Sequence, residues 1–193
     1  MEYKNRKTTR LKNYNYSQQG MYFVTVCAKD REELFGKIIN RKMILSELGK
    51  IVLRNLQVIP NYFENVFFDE NIIMPNHVHL IIEIIEKNVG ADLVSAQNRI
   101  QDCGQTQGLS LRNLNRNAGL LSRTIQILKS KSSVEYIRFI KSKNKSCITK
   151  IWQRSFYDHI IRNKKELEKI REYILKNPAN WEQDKNNIES MPA

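Results

Sequence analysis

The run Met74-Pro75-Asn76-His77-Val78-His79-Leu80-Ile81-Ile82 constrains this chain more than any other stretch. It is apolar, β-branched and opened by a Met-Pro corner, so it reads as a strand. In a strand, side chains at i and i+2 share a face. His77 and His79 therefore project together, while Val78, Leu80 and Ile82 face the other way into a core. The chain has three histidines, and two of them are here. Two neutral imidazoles on a rigid strand are half of a divalent-metal site. The plain alternative is a pair of surface or core histidines, and an isolated H-x-H does not exclude it, because short motifs match by chance.

Composition narrows the partner. The chain has 193 residues, 41% of them apolar, enough for one core. It carries 32 Lys and Arg against 20 Asp and Glu, a net charge of +12. That balance suits a polyanion, and nucleic acid is the commonest one. No 18-residue apolar run exists, which argues against a membrane span. The segment Met1 to Lys12 is basic and polar and lacks the apolar stretch of a signal peptide. Cys27, Cys103 and Cys147 are odd in number and far apart, so the expected compartment is the reducing cytoplasm.

Residues 1–20 read as a basic N-terminal arm, 21–180 as a single domain, and 181–193 as a polar tail. Met21 to Cys27 is a first strand. Apolar residues at Leu45, Leu48, Ile51, Val52, Leu56 and Ile59 predict a helix that Pro60 stops. Val66 to Ile73 is a second strand and His77 to Ile85 a third. Residues 87–117 are rich in Gly, Gln and Asn and read as a mobile insertion. Helical periodicity resumes from Leu120 to Ile140. Lys129, Lys131, Arg138 and Lys141 stud this helix, either as a solvated face or as a surface that tracks phosphates. Ile148 to Arg162 holds a fourth strand. Asn163 with Glu166 three residues on predicts a capped final helix that Pro178 ends. The order β-α-β-β-α-β-α predicts an α+β fold, a ferredoxin-like antiparallel sheet with helices on one face plus a C-terminal helix.

That last helix carries Tyr173-Ile174-Leu175-Lys176-Asn177-Pro178. Tyr173 and Asn177 are i and i+4, so they stack on one helix face. A phenol beside a neutral oxygen ligand makes chemical sense if the phenol attacks a phosphodiester. The amide oxygen of Asn177 can complete a metal site begun by His77 and His79. A core aromatic at helical spacing is the competing reading of Tyr173. Tyr157, in the fourth strand, is a rival nucleophile, and its neighbours Asp158 and His159 could bond a phenol or a metal.

At this point the residues resemble a known family. Met74-Pro75-Asn76-His77-Val78-His79-Leu80 is similar to the HUH motif of single-tyrosine transposases. Arg10 to Ser17 with Tyr22-Phe23-Val24-Thr25, Trp152 to Arg162, and Tyr173-Ile174-x-x-Asn177-Pro178 resemble the branch called REP-associated tyrosine transposases. The likeness covers most of the chain outside about 87–117. It implies a ferredoxin-like nuclease domain, Mg²⁺ or Mn²⁺ as cofactor, and single-stranded or hairpin-forming DNA as partner, with no membrane. It implies that Tyr173 is the catalytic tyrosine, and it allows a monomer or a homodimer. The reaction it implies is metal-dependent nicking and strand transfer through a 5′-phosphotyrosine. The alternative from another class is a non-catalytic nucleic-acid-binding protein that kept the fold.

Overall fold

The computed structural model describes residues 18–86, 119–144 and 150–187. The arm up to residue 17, the insertion at 87–117 and residues 188–193 lie outside the described residues. Six strands and three α-helices are described: β1 Gly20–Cys27, β2 Gly36–Ile39, β3 Lys42–Leu45, α1 Glu47–Val58, β4 Val66–Ile73, β5 His77–Ile84, α2 Leu120–Ser142, β6 Tyr157–Ile161 and α3 Lys164–Lys176. Short 3-10 helices span Lys29–Arg31, Ile59–Tyr62 and Asn177–Gln183.

The main sheet has the order β4-β5-β1-β6, and every pairing is antiparallel. This is the ferredoxin-like arrangement expected from the order of elements. The histidine strand β5 is interior, flanked by β1 and β4. Strand alternation sorts the two faces. Tyr22, Val24 and Val26 of β1 join Val78, Leu80, Ile82 and Ile84 of β5 in a buried cluster. Leu48, Val52 and Leu56 of α1 and Leu121, Ile125 and Leu128 of α2 cover that cluster. The opposite face carries a smaller apolar group, Ile81, Ile161 and Ile174, bordered by Met21, Phe23, Ile72, Leu167 and Ile170. Those contacts place α3 over the histidine face, opposite α1 and α2.

Local chemistry explains the helix starts. The Ser46 side chain accepts a hydrogen bond from Gly49 N at 3.1 Å and opens α1. Asn163 Oδ1 accepts from Glu166 N at 2.9 Å and opens α3. Glu166 reaches back to Arg162 N at 2.8 Å, one residue earlier than an ideal capping box.

Three local readings change. The segment between β1 and α1 contains a hairpin, β2–β3, that the sequence pattern does not reveal. Its turn places Asn40 and Arg41 at φ 50° and 61°. A turn with both central residues at positive φ usually advertises itself as Asn-Gly, and here it is Asn-Arg. Gly36 makes the ribbon close: a Cβ there would lie 2.1 Å from the Ile44 carbonyl oxygen. Among the described residues of the 148–162 segment, only Tyr157–Ile161 pairs with β1 as a strand, while Trp152 forms an isolated bridge to Ala28. The stretch after Trp181, read as a polar tail, is folded as far as residue 187. Trp181, Asp184, Asn186 and Asn187 are all buried.

Candidate functional site

The antiparallel register sets His77 opposite Cys27 and His79 opposite Thr25. Both rings project from the face that α3 covers. Their side chains are buried, with relative exposures of 0% and 1%, rather than lying on an open sheet surface. Each ring is held at Nδ1. Thr25 Oγ1 lies 2.9 Å from His79 Nδ1, and Asn76 Oδ1 lies 2.8 Å from His77 Nδ1.

The Asn76 contacts fix one tautomer. Its Nδ2 donates to Arg31 O at 3.1 Å and to Asn186 O at 2.7 Å. Both partners are carbonyls, so the nitrogen must face them and Oδ1 must face His77. His77 Nδ1 therefore carries the proton, and Nε2 presents a lone pair. The two Nε2 atoms lie 3.0 Å apart. Burial lowers both pKa values, that of His77 to about 4 and that of His79 well below the usual histidine range. Two buried neutral imidazoles aimed at each other need a shared proton or a cation between them.

Asp184 supplies a carboxylate at the same point. A ring nitrogen from each of His77 and His79 and a carboxylate oxygen of Asp184 all lie within 4.8 Å of one another. Asp184 is held in turn: Oδ1 accepts from Asn186 N at 2.7 Å, and Oδ2 accepts from Asn177 Nδ2 at 2.9 Å. The remaining atom of that amide, Asn177 Oδ1, is buried and has no hydrogen-bond partner among the described residues. Two imidazole nitrogens, a carboxylate and an orphaned amide oxygen are a chemically sensible donor set for a divalent cation.

Tyr173 stands at the edge of this group. Its hydroxyl lies 3.3 Å from His79 Nε2 and donates to Asp184 Oδ2 at 3.3 Å. Phe23 meets its ring edge-on at 6.1 Å between centroids. Tyr173 is still 40% exposed, so the phenol has a wet side and a buried side. Partial burial and then Asp184 push its pKa up to about 12.

The structure thus brings together His77, His79, Tyr173 and Asn177, and adds Asp184, which the sequence reading missed. One acidic residue in a polar C-terminal stretch carries no periodic signal. Its role comes from the 177–183 helix turning the chain back over the sheet. Tyr157 and His159 lie on the same sheet face, opposite Thr25 and Phe23. Tyr157 is exposed, with Lys185 Nζ 5.8 Å from its ring centre. His159 Nε2 bonds Glu166 Oε1 at 2.7 Å and so joins β6 to the start of α3. Asp158 pairs with Val24 and is buried toward the other face.

The basic residues of α2 are not brought to the histidines, since that helix covers the far face. Lys129 donates to the carbonyls of Gln153 and Ser155 at 2.7 and 2.9 Å, and burial pushes its pKa down to about 8. Lys131 donates to the Tyr62 hydroxyl. Arg138 and Lys141 are exposed.

Similarity to known proteins follows this geometry. No family model matches the chain. An uncharacterized protein of Haemophilus influenzae is 40% identical over 184 residues, covering 93% of this chain and 91% of that one. A second Haemophilus influenzae protein, named as a candidate REP-associated tyrosine transposase, is 25% identical over 172 residues, covering 88% of this chain and 77% of its own length. A solved REP-associated tyrosine transposase, bound to a REP hairpin, shares the fold with a TM-score of 0.52 at 19% identity. That likeness covers 91% of this chain and 76% of the solved one. With the sheet order, the H-x-H strand and the helix bearing Tyr173 and Asn177 in place, the chain shares the fold of that solved transposase and is similar in sequence, over most of its length, to the second Haemophilus influenzae protein.

Proposed function

We propose that this protein is a metal-dependent nuclease and strand transferase acting on single-stranded, hairpin-forming DNA, with Tyr173 as nucleophile. One observation carries the reading: the Tyr173 hydroxyl lies within 3.3 Å of both His79 Nε2 and Asp184 Oδ2, at the edge of a buried donor cluster. The solved relative bound to a REP hairpin supports hairpin DNA as the substrate class.

His77, His79 and Asp184 would hold the cation, Mg²⁺ or Mn²⁺, with the Asn177 amide oxygen beside them. A bound divalent cation supplies Lewis-acid polarisation of the scissile phosphate and offsets the Asp184 charge that raises the phenol pKa. The chain's own residues do the rest. Thr25 and Asn76 fix the two rings, and Asn177 fixes the Asp184 carboxylate. The Tyr173 oxygen attacks phosphorus, and its proton passes to the Asp184 carboxylate to which the hydroxyl already donates. The phosphorus–O3′ bond breaks, leaving a 5′-phosphotyrosine and a strand end that takes up a proton to become a 3′-OH. An incoming 3′-OH then attacks the same phosphorus and releases Tyr173, joining the new strand.

The test is incubation with end-labelled hairpin oligonucleotides and Mn²⁺, followed by a denaturing gel. A labelled band at protein mass supports the reading. Hairpin binding with no adduct under any divalent cation would instead favour a nucleic-acid-binding protein without nuclease activity.

A further inference from the structure

The β2–β3 ribbon has one anchored face and one bare face. Met43 and Leu45 pack against the main core, and Phe35 at the root of the ribbon is fully buried. The other face, by alternation, carries Lys37, Ile39, Lys42 and Ile44. Ile39 and Ile44 are 54% and 53% exposed, among the largest exposures of apolar side chains in the described residues. Lys37, Arg41 and Lys42 are also exposed. No acidic residue occurs between 36 and 45, and none of these three cations has an ion-pair partner among the described residues.

The ribbon is rooted beside the site. Phe35 N donates to Pro75 O at 2.9 Å, two residues before His77. Strand β3 touches the 177–183 helix that leads to Asp184. Arg31, just before the ribbon, donates from Nη1 to Lys185 O at 3.2 Å. Cationic side chains therefore run from the edge of the histidine cluster (Arg31, Lys185) to the tip of the ribbon (Arg41).

We infer that the bare face of the β2–β3 ribbon docks on the duplex stem of the DNA whose adjoining single strand enters the Tyr173 site. This rests on the proposed function and names where that substrate's stem is held. Charge complementarity favours DNA over a second copy of this chain, because the same +12 chain would bring three lysines and arginines against like charge. Size agrees as well. A two-stranded ribbon enters a major groove about 12 Å wide, and apolar side chains there meet thymine methyl groups while cations flank the phosphates. Asn40 and Arg41 at positive φ hold the turn tight, which keeps the tip narrow.

The test compares two labelled oligonucleotides, one a hairpin with a single-stranded flank and one the flank alone. The variants are the triple Lys37→Gln, Arg41→Asn, Lys42→Gln, and separately Ile39→Thr with Ile44→Thr. Asn at 41 tolerates positive φ, and circular dichroism with a thermal melt checks the fold. The triple variant should bind the hairpin about tenfold more weakly and lower its salt slope by about 0.9 for each phosphate no longer neutralised. Binding and adduct formation on the flank alone should stay within about twofold of wild type. The isoleucine pair should weaken hairpin binding without changing the salt slope. Unchanged hairpin affinity in both variants overturns the inference, and so does equal loss on both oligonucleotides. A sedimentation shift from dimer to monomer in the isoleucine variant, with hairpin affinity unchanged, would assign the face to self-association. Failure of wild type to form an adduct on either oligonucleotide would strike the proposed function itself, a result distinct from loss of the stem preference alone.

Discussion

At the scale of single residues, the site is a set of constrained ring nitrogens. His77 is fixed by Asn76, whose own amide is fixed by two carbonyls. Tyr173→Phe should therefore abolish the covalent protein–DNA band while costing no more than about 1 kcal/mol of stability, the usual net worth of one hydrogen bond. Tyr157→Phe should still form the band, since no hydrogen bond among the described residues ties Tyr157 to the histidines. A band lost only in Tyr157→Phe would move the nucleophile to β6. The histidines also set a pH response. The folded pKa of His77 is lowered to about 4 against an ordinary 6.5, so the unfolded chain binds the extra proton more readily between those values. The stability this contributes is full above about pH 6.5 and is lost as pH falls toward 4. Denaturant melts of metal-free protein at pH 7 and pH 5 should show that fall. A His77→Phe variant should show less of it.

At the scale of elements, α3 is the part that sequence periodicity alone could not place. Its apolar contact with the sheet is small, centred on Ile81, Ile161 and Ile174. Polar clasps complete the docking at both margins. His159 bonds Glu166 on the β6 side. On the β4 side, Arg171 Nε and Nη2 donate to the two Asp69 oxygens at 2.9 and 2.8 Å, just where the β4 register shifts between Phe68 and Asn71. Arg171 is two residues from Tyr173, so the clasp sets where the phenol sits. Arg171→Ala should speed amide hydrogen exchange across 167–176 and slow adduct formation. Its Mn²⁺ affinity should change less than twofold, because all four donor side chains sit on β5 and the 177–187 segment. Unaltered exchange in α3 would show that the apolar contact alone suffices.

At the scale of the whole molecule, the donor cluster joins segments far apart in sequence. His77 and His79 come from the sheet, Tyr173 from α3, and Asp184 from the segment that closes over both. A cation held by His77, His79 and Asp184 ties the sheet to that closing segment, so it should stabilise the folded chain through mass action. At a concentration a hundred times Kd the gain is about 2.7 kcal/mol. A thermal melt with and without Mn²⁺ should show it, and Asp184→Asn should reduce it. His77→Ala and His79→Ala should remove it, although both buried rings leave cavities and unpaired partners, so those variants begin less stable. An equal Mn²⁺ shift in wild type and Asp184→Asn would remove Asp184 from the donor set.

Much was legible in the linear chain, because local periodicity and caps obey short-range rules. The alternation of His77 to Ile82 determined which residues face the core and which face the site. Pro60, Asn163 and Pro178 marked helix limits through backbone chemistry that needs no tertiary partner. The i, i+4 spacing set Tyr173 and Asn177 on one face, and element order implied the antiparallel sheet. Tertiary structure decided what no period encodes. The β2–β3 hairpin depends on positive φ at an Asn-Arg pair, and on a Gly36 whose need appears only when Ile44 comes within 2.1 Å of a would-be Cβ. The burial of His77 and His79 depends on α3 and residues 177–187 folding across the sheet. Asp184 joins the histidines only because that return brings a distant carboxylate within 4.8 Å of them, a proximity set by chain path rather than by neighbouring residues.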